Sequence, residues 1–214
     1  MITRIYLIMT LLTMAISIAF LYTISPLFAQ EQQEEGDSVE LLPPNYVNAE
    51  YKFGIALPKG YKAFSYTEGK IFFVEMVGNF DQASARLSIE PLPSDVTDIA
   101  GFWQAVKERD SLMKRSITYE RVTSVADCGA IQARIERFEG ADYILAITWA
   151  WVHDNHGYIH TAYPPAEGDN NLARDLAEQL INQFRWMSDE EIAEALESMP
   201  PETEKPSLPP GQEF

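Results

Sequence analysis

The stretch ADYILAITWAWVHDNHGYIHTAYPP, residues 141–165, decides the fold, because it has the pattern of two β-strands joined by a short turn. Apolar, β-branched and aromatic residues dominate both halves, and the polar run between them is typical of a hairpin loop. The spacing predicts a four-residue loop, DNHG, over residues 154–157. Gly157 would take a positive φ and Asp154 would cap the turn.

The register of this hairpin decides which side chains share a face of the sheet, because successive residues of a strand point to opposite sides. With a four-residue loop, His153 lies opposite Tyr158 and Trp151 lies opposite His160. One face then carries five large side chains: Trp149, Trp151, His153, Tyr158 and His160. The other face carries small or β-branched residues, against which a helix could pack: Ala146, Thr148, Ala150, Val152, Ile159 and Thr161. A three-residue loop would place His153 opposite Ile159 and move His160 to the other face.

All three histidines of the chain lie in this hairpin, so a metal site is one interpretation. In the four-residue register His153 and His160 are diagonal neighbours, about 7 Å apart between Cβ atoms and within reach of one ion. Zinc sites have three or four protein ligands, and no third ligand is evident, since His156 is at the loop tip and Asp154 belongs to the turn. The alternative, which we favour, makes the histidines polar cross-strand partners of tyrosine and tryptophan. We expect no cofactor.

The aromatic residues of the hairpin also have two interpretations. If no helix covers them, Trp149, Trp151 and Tyr158 form a large apolar patch, which would mark a site for a protein partner. If the sheet is covered on both faces, the same residues belong to the core.

The segments before the hairpin predict further strands and one helix. EYKFGIALPKGY, residues 50–61, alternates and then turns, and residues 70–77 and 83–92 predict an antiparallel strand pair around the turn GNFDQ. Residues 94–115 change to helical spacing, with Thr97 or Asp98 as the N-cap. Residues 118–140 return to strands, interrupted at Asp127-Cys128-Gly129.

After the hairpin, residues 169–186 predict a second amphipathic helix with apolar positions at Leu172, Leu176, Leu180 and Phe184. The order of strands, helix, strands and helix predicts an α+β domain over residues 47–187, in which helices flank an antiparallel sheet in α/β/α layers.

These elements resemble the Mog1/PsbP-like α/β/α family over about residues 49–187. The family begins with a strand followed by a motif that LPKGY, residues 57–61, resembles, although Tyr61 stands where the family usually has tryptophan. The similarity continues through a hairpin, a helix with Phe and Trp, a strand pair with matching residues, a long hairpin, and a last helix ending near INQFRW. The matching residues of the strand pair are Thr123, Val125, Gly129 and Ala133. The resemblance implies an exported or organellar accessory domain that binds partners and shares no catalytic motif, as in a bacterial envelope protein of unknown role.

The two ends of the chain differ from this domain. Residues 1–29 combine Arg4, an apolar run over 5–24 and the breaker SPLFAQ, which predicts a secretory signal peptide. Because the apolar run is as long as a membrane-spanning helix, an uncleaved membrane anchor is the alternative. Either one predicts an exported protein, periplasmic or otherwise outside the cytoplasmic membrane. Residues 30–46 have the composition of a polar linker.

The C-terminal end, residues 188–214, predicts an acidic helix followed by a disordered Pro-rich tail. Ser188 and Glu191 form a capping-box pattern. Ile192, Leu196 and Met199 make a thin apolar stripe on this helix.

Charge and motifs exclude several classes of function. The net charge of −16 disfavours nucleic acid as a partner. No serine-hydrolase, zinc-protease, phosphate-loop or dinucleotide motif is present in the sequence. Cys128 is the only cysteine, so no internal disulfide can form.

The sequence therefore predicts an exported, non-enzymatic accessory protein of the cell envelope that binds a protein partner. Contact with a membrane is expected only through residues 5–24, if they are retained. The alternative is a periplasmic protein that binds a metal or small ligand through the hairpin at 149–160.

Overall fold

A computed structural model gives the structure of the protein over residues 40–79, 81–113, 115–139, 142–165 and 170–199. The predicted signal or anchor, most of the predicted linker and the predicted Pro-rich tail lie outside these residues. A compact unit begins at Leu41. In the described ranges no helix combines the length and apolar character needed to cross a membrane.

The larger of two sheets has seven antiparallel strands in the order β3-β4-β5-β9-β8-β7-β6. Its strands are β3 (Lys62–Glu68), β4 (Ile71–Val77), β5 (Ser84–Pro91), β6 (Ser116–Val125), β7 (Cys128–Glu139), β8 (Asp142–His153) and β9 (His156–Tyr163). The predicted pair of strands before the first helix is confirmed, since β4 and β5 are antiparallel neighbours. The predicted hairpin is also present as β8 and β9, which lie at the centre of the sheet.

The smaller sheet joins the beginning of the domain to its end. It contains β1 (Tyr46–Asn48), β2 (Phe53–Ile55) and β10 (Phe184–Trp186), with β2 in the middle. Just before β1, the Asn45 side chain accepts a hydrogen bond from the Leu57 backbone N–H at 2.7 Å and donates one to the Leu57 carbonyl at 3.1 Å. β1 therefore begins at Tyr46, one residue before the predicted start of the domain at residue 47.

The first described helix, α1 (Ile99–Leu112), confirms the predicted helix and its cap. The Asp98 carboxylate accepts a hydrogen bond from the Gly101 backbone N–H at 2.8 Å, which satisfies a donor that the first turn leaves free. The buried side of α1 packs on the small residues of one face of the large sheet. The residues of this cluster are Phe102, Trp103, Val106, Ala133, Ala150 and Ile159.

The second helix, α2 (Asn170–Asn182), packs on the opposite face of the large sheet. Leu176 and Leu180 are buried there, as predicted, but Leu172 is exposed. Phe184 was expected to continue the apolar stripe of the helix. It instead begins β10, where its backbone pairs with Ile55 and its ring stacks on Phe53.

The third helix, α3 (Asp189–Ser198), has the predicted capping box. The Ser188 hydroxyl accepts from the Glu191 backbone N–H at 3.2 Å, and the Glu191 carboxylate accepts from the Ser188 backbone N–H at 2.7 Å. Ile192 is buried and Leu196 is half exposed. This short helix is therefore held by its cap and by one buried side chain.

These elements confirm the predicted fold class. The domain is α+β, and helices pack on both faces of an antiparallel sheet, because each face carries its own cluster of buried side chains.

Candidate functional site

The hairpin turn is tighter than predicted. Asp154 and Asn155 have φ values of 45° and 62°, and His153 pairs directly with His156, so the loop has two residues. Positive φ at both central positions is the property of a type I′ turn, whose twist matches that of the strands, and Asp and Asn tolerate it. The four-residue loop is wrong. Gly157 lies in β9, where a Cβ would overlap the Phe102 ring.

The shorter loop shifts the register by two residues and therefore leaves the predicted faces unchanged. Trp149 lies opposite His160, and Trp151 lies opposite Tyr158. His156, which was expected at the loop tip, joins the same face, where its ring meets the edge of Tyr51 at 5.4 Å.

The aromatic side chains of this face belong to the core. Trp149, Trp151 and Tyr158 are 3%, 0% and 1% exposed. Trp151 stacks on Tyr158 at 5.4 Å and meets the edge of Phe184 at 5.2 Å. Of the two interpretations of these residues, the core interpretation is the correct one, and they offer no surface to a partner.

The structure separates the two histidines that a metal site would need. His153 pairs with His156, whereas His160 pairs with Trp149, so the two histidines are four residues apart along the strands, about 13 Å. They are therefore not the diagonal neighbours that the four-residue loop predicted. Among the described residues no group of three His, Cys, Asp or Glu side chains has the geometry to hold a metal ion.

His160 is fully buried, and neither ring nitrogen has a hydrogen-bond partner within the described residues. Burial lowers the pKa of the imidazole to about 4, so it is neutral at pH 7. Its ring lies 6.4 Å from that of Trp149 in an edge-on arrangement. His160 is therefore a neutral core residue whose polar ring atoms are unsatisfied.

Cys128 has a neighbour that the sequence did not reveal. Its sulfur lies 3.6 Å from Nδ1 of His153, whose ring stacks on Trp186 at 3.7 Å. The other nitrogen of that ring, Nε2, is 3.4 Å from Oδ2 of Asp154. The thiol can hydrogen-bond to the imidazole here. The two residues are 25 positions apart, and only the register of β7 and β8 could have brought them together.

A second region, absent from the sequence predictions, lies where α1 stops covering the sheet. Contacts of α1 concentrate on β6, β7 and β8. On the same face, at the other end of the sheet, Phe64 and Tyr66 are 45% and 40% exposed. The Tyr66 ring stacks on Phe73 at 5.1 Å, and the Arg86 guanidinium lies 5.5 Å from the centre of the Phe73 ring. We call Phe64, Tyr66, Phe73 and Arg86 the open face.

Hydrogen bonds fix the polar groups of the open face. The Glu75 carboxylate accepts from Arg86 Nε at 2.6 Å and from the Tyr66 hydroxyl at 3.1 Å. Burial and the nearby Glu75 carboxylate raise the pKa of the Tyr66 phenol, which therefore stays protonated and remains a donor. The aromatic rings and the guanidinium are thus presented in one defined arrangement.

Between the open face and α1 lies a cavity of about 530 Å³, which we call the α1 cavity. Val106, Ile135 and Ile159 contribute apolar walls, and Arg86 belongs to both the cavity and the open face. Two more arginines reach the cavity from α1 and the loop after it. Arg109 pairs with Glu90 at 2.8 Å, and Arg115 pairs with Asp110 at 3.3 Å.

Only part of this region could have been predicted from the sequence. The alternation of β4 and β5 assigns side chains to faces, but it does not say how far a helix extends over each face. Arg86 and Glu75 are eleven positions apart, and the strand register brings them together.

No family model matches the chain, and no curated protein matches its sequence. Among solved structures, the chain is similar to cyanobacterial PsbP (CyanoP) from Synechocystis sp. PCC 6803, with a TM-score of 0.51 and 8% identity over 66% of this chain and 90% of that one.

Two other structures are more distant. A protein from Bacteroides thetaiotaomicron VPI-5482 has a TM-score of 0.44 and 15% identity over 68% of this chain and 48% of its own. A Pseudomonas aeruginosa protein of unknown function has a TM-score of 0.37 and 8% identity over 67% of this chain and 99% of its own. The similarity to PsbP and the order of the elements show that the domain has the Mog1/PsbP-like α+β fold.

Proposed function

We propose that the protein is an exported, non-enzymatic accessory protein of the cell envelope that binds a protein partner through the open face. The observation that carries the proposal is the exposure of Phe64 and Tyr66 beside Arg86, on a part of the sheet that α1 does not cover. Large aromatic side chains that remain accessible next to one another mark interaction sites.

The composition of the open face supports a protein as the partner. Tyrosine and arginine are enriched among the residues that contribute most to protein–protein binding, since they combine apolar area with directed hydrogen bonds. Here Glu75 holds Arg86 and the Tyr66 hydroxyl in place, so that little conformational freedom is lost when a partner binds.

Export and the absence of catalysis are supported by the sequence. The apolar N-terminal segment has the pattern of a signal or anchor, and no catalytic motif was found along the chain. The net charge of −16 favours a partner with a basic or neutral surface over nucleic acid. The alternative, a metal or ligand site in the hairpin at 149–160, has no geometric support, because the ring of His160 is enclosed in the core and His153 is distant from it.

Site-specific photo-crosslinking in native envelopes tests this proposal. A photoreactive phenylalanine analogue replaces Phe64 in one protein and Leu172 in another. Both side chains are large, apolar and about equally exposed, at 45% and 44%, but Leu172 lies on α2, which packs on the opposite face of the sheet. We expect one defined crosslinked species from position 64 and none of that mass from position 172.

The same crosslinking experiment is then repeated with Tyr66→Ala and with Arg86→Ala added. Each change removes part of the open face without removing a core residue, so the specific species should become several-fold weaker. Crosslinks of equal yield from positions 64 and 172, or a yield unaffected by both changes, would count against the proposal.

A further inference from the structure

The strand β3 is an unprotected edge of the large sheet. Within the described part of the chain its only strand neighbour is β4, and its side chains are exposed except for the half-buried Ala63. An edge strand presents backbone N–H and C=O groups that pair readily with another strand. β3 has seven residues, and its pairing with β4 is regular along its whole length. The edge is therefore long enough and regular enough to receive a further strand.

The edge at the other end of the sheet, β6, is protected in ways that β3 is not. The pairing of β6 with β7 shifts between Ile117 and Tyr119, where a bulge or irregularity interrupts the ladder. Two charged residues, Glu120 and Arg121, occupy the middle of β6. Bulges and charges are devices by which proteins keep edge strands from pairing. In β3, by contrast, the charged residues are at the two ends of the strand.

The turn between β3 and β4 determines which backbone groups of β3 face the edge. Glu68 pairs with Ile71 across the two-residue turn Gly69-Lys70, and the residues that flank such a turn form a hydrogen-bonded pair. Hydrogen-bonded and non-hydrogen-bonded pairs alternate along an antiparallel ladder. Glu68 and every second residue before it therefore bond to β4. The N–H and C=O groups that point away from β4 belong to Ala63, Ser65 and Thr67.

The sequence of β3, KAFSYTE, is complementary to itself when two copies run antiparallel. Directly opposite residues of two antiparallel strands share a face, and pairs of opposite charge and pairs of aromatic rings stabilise the contact. A twofold axis at Ser65 generates each pair twice, because an interface between identical chains repeats every contact. The opposite pairs are then Lys62 with Glu68, Phe64 with Tyr66, and Ala63 with Thr67.

The side chains needed for these pairs are available. Lys62 and Glu68 are exposed, and neither makes an ion pair with a residue that the structure describes. They are about 20 Å apart along β3, too far to pair with each other within one chain. Phe64 and Tyr66 are 45% and 40% exposed, so each ring has area that the other can cover. The net charge of −16 opposes self-association, but physiological salt screens that repulsion beyond about 8 Å, whereas the cross-strand contacts are shorter.

We propose that two copies of the chain associate through β3, antiparallel about a twofold axis at Ser65, so that the large sheet continues across both copies. Dimer formation is independent of the proposed function, because it uses the backbone edge of β3, whereas the partner contacts the exposed rings of the open face. The two open faces would lie side by side on the same side of the joined sheet. A single strand pair buries less than a standard interface of about 1,600 Å², so we expect a reversible dimer.

Cysteine crosslinking in native envelopes tests the register. Each variant of the full-length chain carries Cys128→Ser and one new cysteine, at position 63, 65 or 67. Directly opposite residues have Cα atoms about 4.5–5.5 Å apart, within the range of a disulfide. After mild oxidation we expect a disulfide-linked dimer from Ser65→Cys, and none from Ala63→Cys or Thr67→Cys, because each of those residues lies about 13 Å along the strand from its own copy. Co-expression of the Ala63→Cys and Thr67→Cys chains should give the dimer again.

Charge reversals test the pairing of Lys62 with Glu68, and the Ser65→Cys disulfide is the readout. Lys62→Glu and Glu68→Lys each place like charges opposite one another, so each should lower the dimer yield several-fold. The double variant restores opposite charges in exchanged positions and should recover the yield. The single changes alter the net charge in opposite directions, so an effect of net charge alone would raise the yield in Glu68→Lys. Glu178→Lys, the same exposed change on α2, is the matched control and should not lower the yield.

The absence of a dimer from position 65, or equal yields from positions 63, 65 and 67, would overturn the inference. A yield that both single reversals leave unchanged, or that the double variant does not recover, would overturn it as well. Photo-crosslinking from position 64 remains a separate test, because the captured peptide identifies the protein in contact. A crosslink to a protein other than this chain supports the proposed function whether or not the dimer forms.

Discussion

The identity of single residues in the central hairpin is set by what packs against the backbone, and Gly157 shows this most directly. The sequence suggested that Gly157 takes a positive φ in the loop, because glycine is the usual residue for that conformation. In the structure it pairs with Val152 inside β9 and contacts the ring of Phe102 from α1. The glycine is required by packing, and a sequence pattern alone does not distinguish this reason from the conformational one.

Gly157→Ala is therefore predicted to destabilise the protein by about 1–3 kcal/mol, because the added methyl group would overlap the Phe102 ring in a close-packed core. Urea unfolding measures the free energy of unfolding. Gly129→Ala is the control: that glycine is also in a strand of the large sheet, and its Cβ would meet no atom within 4 Å. If both changes have the same effect, close packing of Phe102 is not the reason for Gly157.

At the scale of elements, the predicted strands and helices were largely correct, and so was the turn between β4 and β5, where the Gln82 N–H donates to the Asn79 carbonyl, but two other turns were misplaced. Both turns were placed at glycine, at Gly157 and at Asp127-Cys128-Gly129. Both instead lie just before it, at pairs with positive φ: Asp154-Asn155, and Ala126-Asp127 with φ values of 44° and 67°. The strands therefore continue through the glycines. The alternation of residues predicts which face each side chain occupies even when the register is wrong by two residues, because such a shift keeps every side chain on its face. The position of the turn, in contrast, changes with any shift of the register.

Ala126 is the least favourable of these four turn residues, because a Cβ clashes with the backbone in the left-handed region. Ala126→Gly is predicted to stabilise the protein by about 1 kcal/mol, reduced by the free energy that packing of the lost methyl group contributes. The control is Ala193→Gly on the exposed side of α3, where glycine should cost about 1 kcal/mol because the backbone there is helical. Thermal melts of the two variants should shift in opposite directions. A lower melting temperature for Ala126→Gly would show that the strain is absent.

At the scale of the whole molecule, the order of the elements was enough to predict the α+β class and the Mog1/PsbP-like fold, but not the open face. Periodicity says that residues of β4 and β5 alternate between two sides. It contains no information on whether α1 reaches Phe73 or stops at β8, since this depends on the angle at which the helix crosses the sheet. The same limit applies to Asp110. It is buried because α1 packs on the sheet and because Arg115, just after the helix, donates a hydrogen bond to its carboxylate.

The stability of the whole domain should depend on pH through His160. Its pKa is about 4 in the folded protein and 6.5 when unfolded, so between these values the unfolded chain binds more protons and stability rises with pH. The stability that depends on a neutral His160 is fully present above pH 6.5 and is lost as the pH falls towards 4. The free energy of unfolding decreases over this range by about 3 kcal/mol at most.

His160→Leu removes this titration and two unpartnered nitrogen atoms while keeping a similar volume. The variant should be at least as stable as the wild type at pH 7, and its advantage should grow as the pH falls from 6.5 towards 4. Urea unfolding at pH 7, 6, 5 and 4.5 gives the difference between the two proteins. Carboxylate protonation is common to both and cancels in that difference. His156→Gln, in the same hairpin, should follow the wild-type curve. Parallel curves for His160→Leu and the wild type would mean that the imidazole finds a proton acceptor or water in the core, so that its burial does not oppose protonation.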